Sequence, residues 1–210
     1  MRERKCLNLT ELQTLADPEL VGLAQDGDSE AFGELVNRYQ NKIYRLARRL
    51  TDNQEDAEDV LQESFVRAFR AIGGFKGASK FSTWLYRITV NLAAMKRRAQ
   101  RYHIESLDEP ITTKDGEINR DIRDTGIDPL EALIAKEIRE SLDRAISDLS
   151  PTNKAVFVLR HIEGLSTEET REILNISIPA VKSRLHRTRL VLQERLMSLA
   201  QEQPEAVCLA

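Results

Sequence analysis

The chain has 210 residues, of which 34 are acidic and 31 basic, and it is 41% hydrophobic but only 5% aromatic. This composition favours helices, and no apolar run forms the core of a signal peptide or approaches the roughly 20 residues of a membrane span. The two cysteines, Cys6 and Cys208, lie at opposite ends and form no C-x-x-C pair, which argues against a zinc site or a disulfide framework. We therefore expect a cytoplasmic all-α protein without a metal or another cofactor.

Two helices are predicted after an N-terminal tail at 1–15. Asp17-Pro18 has the form of an N-cap followed by a proline in the first helical position, which predicts a short helix through Ala24. Gly27-Asp28 ends that helix and begins a longer one. Its apolar residues recur every three or four positions, as on one face of an amphipathic helix: Phe32, Leu35, Tyr39, Ile43, Leu46 and Leu50.

The next predicted helix is divided by charge along its length. Its inner side carries Ala57, Leu61, Phe65, Ala68 and Ile72, while its outer side is acidic in the first half and basic in the second: Asp52, Glu55, Asp56, Glu58, Asp59 and Glu63, then Arg67 and Arg70. Stabilisation of the helix dipole is one explanation of this order. A docking surface for a protein partner is the other, and we prefer it because Asp59 and Glu63 lie beyond the first turn.

A long stretch without acidic residues runs from Ser64 to Ile104. It contains nine basic residues, namely Arg67, Arg70, Lys76, Lys80, Arg87, Lys96, Arg97, Arg98 and Arg101, and five of its aromatic residues are Phe75, Phe81, Trp84, Tyr86 and Tyr102. Basic and aromatic side chains together suit a polyanion with unstacked bases. The alternative is a solvated basic helix with a few aromatic residues in the core.

Within this stretch, Gly73-Gly74 ends the preceding helix, and 75–79 is a loop by composition. The helix that follows, from about Phe81 to Arg101, has a predicted core stripe of Leu85, Ile88, Leu92 and Met95. A neighbouring face carries Trp84, Arg87, Asn91, Arg98 and Arg101, which suits a phosphate backbone with Asn91 reading a base edge. A lone tryptophan at helical spacing is, however, more often a core residue.

The segment 105–129 is acidic and interrupted by proline and glycine, so we expect a flexible linker between two domains. The second domain, 130–199, contains a helix-turn-helix pattern. Ser166 and Glu169 form a predicted capping box, a turn follows at 175–177, and a longer helix begins near Ile178. Lys182, Ser183, His186 and Arg187 point outwards from the half of that helix that enters the major groove in such proteins. A plain helical hairpin is the alternative.

Two motifs resemble those of one family, the extracytoplasmic-function bacterial sigma factors. The run from Asp56 to Phe69, followed by FSTWLYRITVN at 81–91, is similar to domain two of that family, and LSTEE at 165–169 with VKSRLHRTR at 181–189 is similar to domain four. The resemblance covers about 16–199 and implies two helical domains, 16–104 and 130–199, with tails at 1–15 and 200–210. The chain departs from the family pattern at Thr170-Arg171, Asn175 and Pro179, and Pro179 leaves the first residue of the recognition helix open.

The resemblance also implies partners and sites. Core RNA polymerase would bind through its β′ clamp and β flap, promoter DNA at its minus-ten and minus-thirty-five elements, and an anti-sigma factor would regulate the protein. The β′ clamp residues would be Asp56, Asp59, Gln62 and Glu63. The minus-ten residues would be Lys76, Ser79, Lys80, Trp84, Arg87, Asn91, Lys96, Arg97 and Arg98, and the minus-thirty-five residues Arg171, Lys182, Ser183, Arg184, His186 and Arg187.

No catalytic set is expected. The sequence has no glycine-rich phosphate loop, and its three histidines, His103, His161 and His186, are isolated from each other and from the cysteines. The protein is therefore predicted not to be an enzyme. A stand-alone helix-turn-helix transcription regulator is the alternative function, and it would bind its duplex site without the polymerase.

Overall fold

The computed structural model describes residues 9–105, 141–142 and 144–202, and all regular elements in these ranges are helical. The predicted all-α fold is confirmed. The chain divides into two compact units. The predicted linker at 105–129, apart from Glu105, and the first part of the predicted second domain, 130–140, lie outside the described residues.

The first unit is a bundle organised around its third helix. Its elements are α1 (Leu9–Thr14), α2 (Asp17–Gln25), α3 (Ser29–Leu50), α4 (Gln54–Ala71), a 3-10 turn (Ile72–Gly74) and α5 (Phe81–Glu105). Helix α3 packs against the other four helices, and α4 also packs along α5. The long apolar face of α3 supplies the contacts that hold these four neighbours together.

The predicted apolar faces of α3 and α4 are confirmed. All six residues predicted on α3 are buried, and Leu35, Ile43 and Leu46 have no exposed surface. Burying one such side chain contributes about 1.5–3 kcal/mol to folding. On α4 the predicted inner residues are buried except Leu61, which is half-buried.

The predicted core stripe of α5 needs a correction. Met95 is 50% exposed, whereas Tyr86, Val90 and Ala93, which the stripe omitted, are buried. The reason is that α5 packs against α3 and α4 at the same time. Its buried arc is therefore wider than the single stripe that three- and four-residue spacing predicts, and it is rotated away from Met95.

Two predictions about the N-terminal end of the chain need a correction, and a polar network lies there. The N-cap of α2 is Ala16 and not Asp17, and residues 9–14 of the predicted tail form α1 with Leu12 fully buried. The Asp17 carboxylate instead accepts hydrogen bonds from Arg38, at 3.0 Å, and from the Tyr39 hydroxyl. Burial and this hydrogen bond raise the pKa of the Tyr39 phenol.

Arg38 joins three helices through that network. Its Nη2 donates to the carbonyl oxygens of Leu12 and Gln13 at 3.2 and 2.9 Å, and its Nε pairs with the buried Glu34 carboxylate at 2.9 Å. Because these contacts reach α1, α2 and α3, residues 9–15, which were predicted to belong to a tail, are part of the folded unit. Hydrogen-bonded partners are also what allow the Glu34 carboxylate to be buried.

The boundaries of α3 and α4 are set by side-chain caps. Asp28 Oδ1 accepts hydrogen bonds from the backbone N–H groups of Glu30 and Ala31 at 2.9 and 3.1 Å, and Asn53 Oδ1 accepts one from Asp56 N at 2.7 Å. Such caps satisfy donors that have no partner inside the helix. The helix break predicted at Gly27-Asp28 is confirmed, with Gly27 at a φ of 93°.

The second half of the chain contains α6 (Pro151–Phe157), a π-helical turn (Val158–Ile162), α7 (Thr167–Leu174) and α8 (Ile178–Glu202), and 144–147 are also helical. Helix α6 packs on α8. The chain turns after the π-helical segment at Gly164, which has a φ of 68°. Helix α8 is 25 residues long.

The helix-turn-helix has the predicted local structure. Glu169 N donates to Ser166 Oγ at 3.0 Å while Ser166 N donates to Glu169 Oε2 at 2.9 Å, so the capping box is confirmed. Asn175 ends α7 with a φ of 51°, a left-handed conformation that asparagine adopts more readily than most residues. Helix α8 begins at Ile178 with Pro179 in its first turn, which settles the position that the sequence left open.

Candidate docking surface and nucleic-acid interfaces

An acidic surface is exposed on the outer side of α4. The side chains of Asp59 and Glu63 are 57% and 44% exposed, and Gln62 between them is also exposed. Glu63 pairs with Arg67 one turn later, at 2.7 Å. Exposed ion pairs contribute little to stability, about 0–1 kcal/mol, so these side chains remain able to exchange partners.

Asp56 does not belong to this exposed surface, which corrects its predicted place there. It is 5% exposed and faces α5, because α5 packs along α4. Its carboxylate accepts hydrogen bonds from Asn53 Nδ2 at 2.7 Å and from Gln100 Nε2, and it lies 3.2 Å from Lys96 Nζ. Three polar partners around one buried carboxylate indicate a structural contact between the two helices.

Two residues predicted to contact the minus-ten DNA are paired with acidic residues in or just before α4. Lys96 Nζ lies 2.6 Å from Asp59 as well as 3.2 Å from Asp56, and hydrogen bonds to both raise the pKa of the Lys96 ammonium. Arg97 Nε lies 3.2 Å from Asp52. The acidic N-terminal part of α4, with Asp52 before it, and the basic end of α5 are therefore complementary surfaces within one unit. The spacing within each helix did not predict this pairing.

An apolar extension of the acidic surface was missed by sequence reasoning. Val66 and Phe69 are 40% and 53% exposed, and the Phe69 ring also contacts Phe32 at 5.1 Å between centroids. Gln62, Val66 and Phe69 stand at positions i, i+4 and i+7, which share one helix face. That spacing was the available signal. We name Asp59, Gln62, Glu63, Val66 and Phe69 the α4 docking surface.

A short loop at 75–80, which we name the projecting loop, is anchored at both ends by aromatic rings. Phe75 and Phe81 lie 6.2 Å apart, and both contact Trp84, at 5.0 and 5.7 Å. Between them Lys76, Gly77, Ala78 and Lys80 are exposed and Ser79 is half-buried, with Gly77 at a φ of 67°. The loop therefore extends from a fixed base.

The aromatic side chains of this region are buried or packed against one another, whereas stacking with DNA bases would require exposed rings. Phe81 and Tyr86 are buried, and Trp84 is half-buried within the cluster that anchors the projecting loop. Packing of Trp84, the alternative that the sequence left open, is what the geometry favours. The aromatic residues hold the loop, and the polar side chains of the loop face solvent.

One side of α5 beside the projecting loop is polar and exposed. Arg87, Asn91 and Arg98 are exposed and follow each other at helical spacing, as predicted. The side chain of Arg101, predicted on the same face, lies outside the described residues. Arginine and asparagine side chains on one helix face can contact phosphates and a base edge together.

The first half of α8 presents a second polar surface. Lys182, Ser183, His186 and Arg187 are all exposed, Arg184 is half-buried, and Arg171 is exposed on α7. Val181 and Thr188 on the opposite side have no exposed surface. Because those two side chains fix the rotation of α8, the four outward residues form one face. We name these four residues the α8 recognition face.

His161 contacts α8 from the π-helical turn. Its Nε2 accepts hydrogen bonds from the Arg189 guanidinium, with Nε and Nη2 at 3.4 and 3.3 Å. The centroid of its ring lies 5.1 Å from that of the Phe157 ring, and the two rings are tilted by 48°. Burial, and then the charges of Arg189 and Arg160, lower the pKa of His161 below its ordinary value of 6.5. Neutral His161 is therefore the form that suits the folded state.

This shift predicts a pH dependence of stability. A histidine whose pKa is lowered by folding contributes stability that is complete above the unfolded-state value and is lost as pH falls below it. The midpoint of thermal unfolding should therefore fall between pH 7.5 and 5.5 by more in the wild type than in His161→Gln. His186→Gln, which changes the histidine of the α8 recognition face, is the control. Equal pH profiles for all three proteins would contradict the prediction.

In the described ranges no three side chains of histidine, cysteine, aspartate or glutamate come together to hold a metal ion. None of the helices described above combines the length and apolar character needed to cross a membrane.

Two family models match the two units. The model described as Sigma-70 region 2 matches residues 35–102, and the model described as Sigma-70, region 4 matches residues 139–207. A curated relative, the ECF RNA polymerase sigma factor SigW of Bacillus subtilis, is 37% identical over 175 residues, which cover 82% of this chain and 92% of the relative.

Solved structures show the same fold. CnrH in complex with the cytosolic domain of CnrY has a TM-score of 0.63 at 26% identity, covering 87% of this chain and 97% of that chain. The sigma factor RpoE in complex with the anti-sigma factor NepR from Bartonella quintana has a TM-score of 0.65 at 20% identity, covering 79% and 96%. With two matching regions in the predicted order and a relative matched over nearly its whole length, the chain belongs to the ECF RNA polymerase sigma factors.

Proposed function

We propose that this sigma factor binds core RNA polymerase through the α4 docking surface, at the β′ clamp. The observation that supports this most directly is an exposed acidic patch, Asp59 to Glu63, continuous with exposed apolar side chains at Val66 and Phe69. Interfaces combine an apolar centre with a charged rim in this way. Asp56 would act indirectly, by holding α4 against α5.

The projecting loop and the exposed face of α5 would then hold the non-template strand of the minus-ten element. Lys76, Ser79 and Lys80 lie on the loop, and Arg87, Asn91 and Arg98 lie on α5. A basic surface next to a pre-anchored loop suits a strand whose bases are unstacked. We assign Lys96 first to its ion pairs with α4, Arg97 to its ion pair with Asp52 just before α4, and Trp84 to the anchor of the loop.

The second unit would read the minus-thirty-five duplex. Lys182, Ser183, His186 and Arg187 on the α8 recognition face would enter the major groove, while Arg184 and Arg171 would contact the phosphate backbone. The same unit would contact the β flap of the polymerase. Direct readout by arginine at a guanine edge would give much of the base discrimination.

Regulation by an anti-sigma factor belongs to the same proposal. The structurally similar RpoE was solved with an anti-sigma factor, and exposed apolar side chains on α4 offer a surface that such a protein could cover. We infer that the protein acts on DNA in the cytoplasm and supplies promoter selection without catalysis of its own. A stand-alone regulator is disfavoured because its first unit would need no docking surface and no strand-binding loop.

Transcription with purified core enzyme tests this function. Sheared genomic DNA from the source bacterium would serve as template, and the 5′ ends of the RNA would be sequenced with and without the sigma factor. We expect start sites that require the protein and that share two upstream elements. The same RNA, made equally well by core enzyme alone, would contradict the proposal.

A further inference from the structure

A hydrogen-bonded contact outside the predicted DNA-binding residues holds the base of the projecting loop. Gln25, the last residue of α2, places its Nε2 2.9 Å from the carbonyl oxygen of Ile72 and 2.7 Å from that of Phe75. The two N–H groups of one side-chain amide can serve both acceptors. These acceptors lie 47 and 50 residues later in the chain, so the contact joins distant segments.

The segment between the two acceptors has no side chains of its own to pack. Gly73 and Gly74 stand between Ile72 and Phe75, and apart from their neighbours in the chain and the local backbone no atom lies within 4 Å of where a Cβ would be at either glycine. Side-chain packing therefore acts on Ile72 and Phe75 but not on the two glycines between them, and glycine loses more conformational freedom on ordering than any other residue. Within the turn, Phe75 N donates to Ile72 O at 3.0 Å.

Helix α2 provides a rigid support for that amide. Leu20, Val21 and Ala24 are buried, and α2 packs against α3 and against the 3-10 turn itself. The position of Gln25 is consequently set by the core of the first unit. Its amide transmits that position to Phe75, where the projecting loop begins.

We propose that Gln25 is a positioning residue for recognition of the unpaired minus-ten strand. By holding Ile72 and Phe75, it fixes the start of the projecting loop before DNA arrives, so that less ordering is needed when the strand binds. This inference rests on the proposed strand-binding function of that loop. Gln25 would not touch the DNA and would act through Phe75.

The test uses holoenzyme assembled from core polymerase and each full-length variant. The probe is a fluorescent single-stranded oligonucleotide with the minus-ten sequence found by start-site mapping, together with a series carrying one changed base. Gln25→Met keeps the length of the side chain and removes both donors, and Gln25→Glu keeps the shape but presents oxygen atoms to the two carbonyls. Gln40→Met, which alters an exposed glutamine of α3, is the matched control.

We expect both Gln25 variants to bind the matched oligonucleotide about 5- to 10-fold more weakly. Their ratio of affinities for matched and mismatched oligonucleotides should fall by a similar factor, while Gln40→Met behaves as the wild type. Affinity for core polymerase should not change. The affinity ratio does not depend on the fraction of folded protein, so it distinguishes positioning from a general loss of stability.

Two outcomes would overturn the inference in distinguishable ways. If wild-type holoenzyme discriminates among the oligonucleotides and the Gln25 variants do so equally well, the positioning role is wrong and the proposed function stands. If wild-type holoenzyme does not discriminate at all, the proposed function of the projecting loop fails, and the role of Gln25 fails with it.

Discussion

Asp59→Arg should weaken binding of the sigma factor to core RNA polymerase by about 100-fold while leaving its helical structure intact. Asp59 is one of the two acidic residues of the α4 docking surface and is 57% exposed. Reversing its charge places a cation where a basic partner surface is expected. The loss should be measured as a change in dissociation constant by titrating labelled sigma factor with core enzyme.

The stability cost of this substitution should be much smaller than the binding cost. Asp59 contributes one exposed ion pair to Lys96, worth about 0–1 kcal/mol, and Lys96 keeps its contact with the buried Asp56 carboxylate. Glu30→Arg is a suitable control because it makes the same charge change at an exposed residue of α3 outside the α4 docking surface. A melted circular-dichroism spectrum for Asp59→Arg would show that Asp59 is structural, and unchanged core affinity would remove it from the docking surface.

Arg187→Ala should weaken promoter use by about 1–3 kcal/mol and relax the requirement at one base pair of the minus-thirty-five element. Arg187 is exposed in the third turn of α8, on the face opposite the fully buried Val181 and Thr188. An arginine that contacts a base edge loses specificity when it is truncated, whereas one that contacts only phosphate weakens binding to all sequences alike. The measurement is transcript yield from promoters with every single substitution in this element.

Arg195→Ala provides the matched control for that experiment. Arg195 is on the same helix, two turns beyond Arg187, and its guanidinium lies 3.6 Å from Asp148 within the second unit. It should leave the ranking of promoter variants unchanged. If Arg187→Ala also left that ranking unchanged, direct readout by Arg187 would be ruled out, and a uniform loss would reassign it to the phosphate backbone.

Local rules predicted most of the helices from the sequence. The apolar spacing of α3 named its buried face, and the capping box at Ser166 and Glu169 placed the start of α7. These features depend on residues that are close together in the chain. Side chains on the α8 recognition face were predicted for the same reason, since helical periodicity alone decides that they share a side.

Contacts between distant helices were the part that the sequence did not reveal. Asp56 and Lys96 are forty positions apart by number, and their ion pair exists because α4 and α5 pack side by side. The same packing buries Tyr86 and exposes Met95, contrary to the simple stripe. Periodicity identifies a face of one helix, but the angle and partner of that face are set by the rest of the bundle.

The ion pairs between α5 and the acidic residues in or before α4 also change the interpretation of the stretch without acidic residues, Ser64 to Ile104. Part of its positive charge, on Lys96 and Arg97, is compensated by Asp56, Asp59 and Asp52 within the first unit. The exposed polar side chains nearer the projecting loop therefore become the better candidates for DNA contact. A partner that takes Asp59 would leave Lys96 paired with Asp56 alone.

Permanganate footprinting of a mapped promoter is the most direct test of the central claim that one unit opens DNA while the other reads the duplex. Thymines of the minus-ten element should become reactive only when the sigma factor and core polymerase are both present. With the sigma factor alone, the DNA should remain double-stranded and weakly bound. Tight binding of the duplex site by the protein alone, without reactive thymines after core enzyme is added, would contradict the account and indicate a stand-alone regulator.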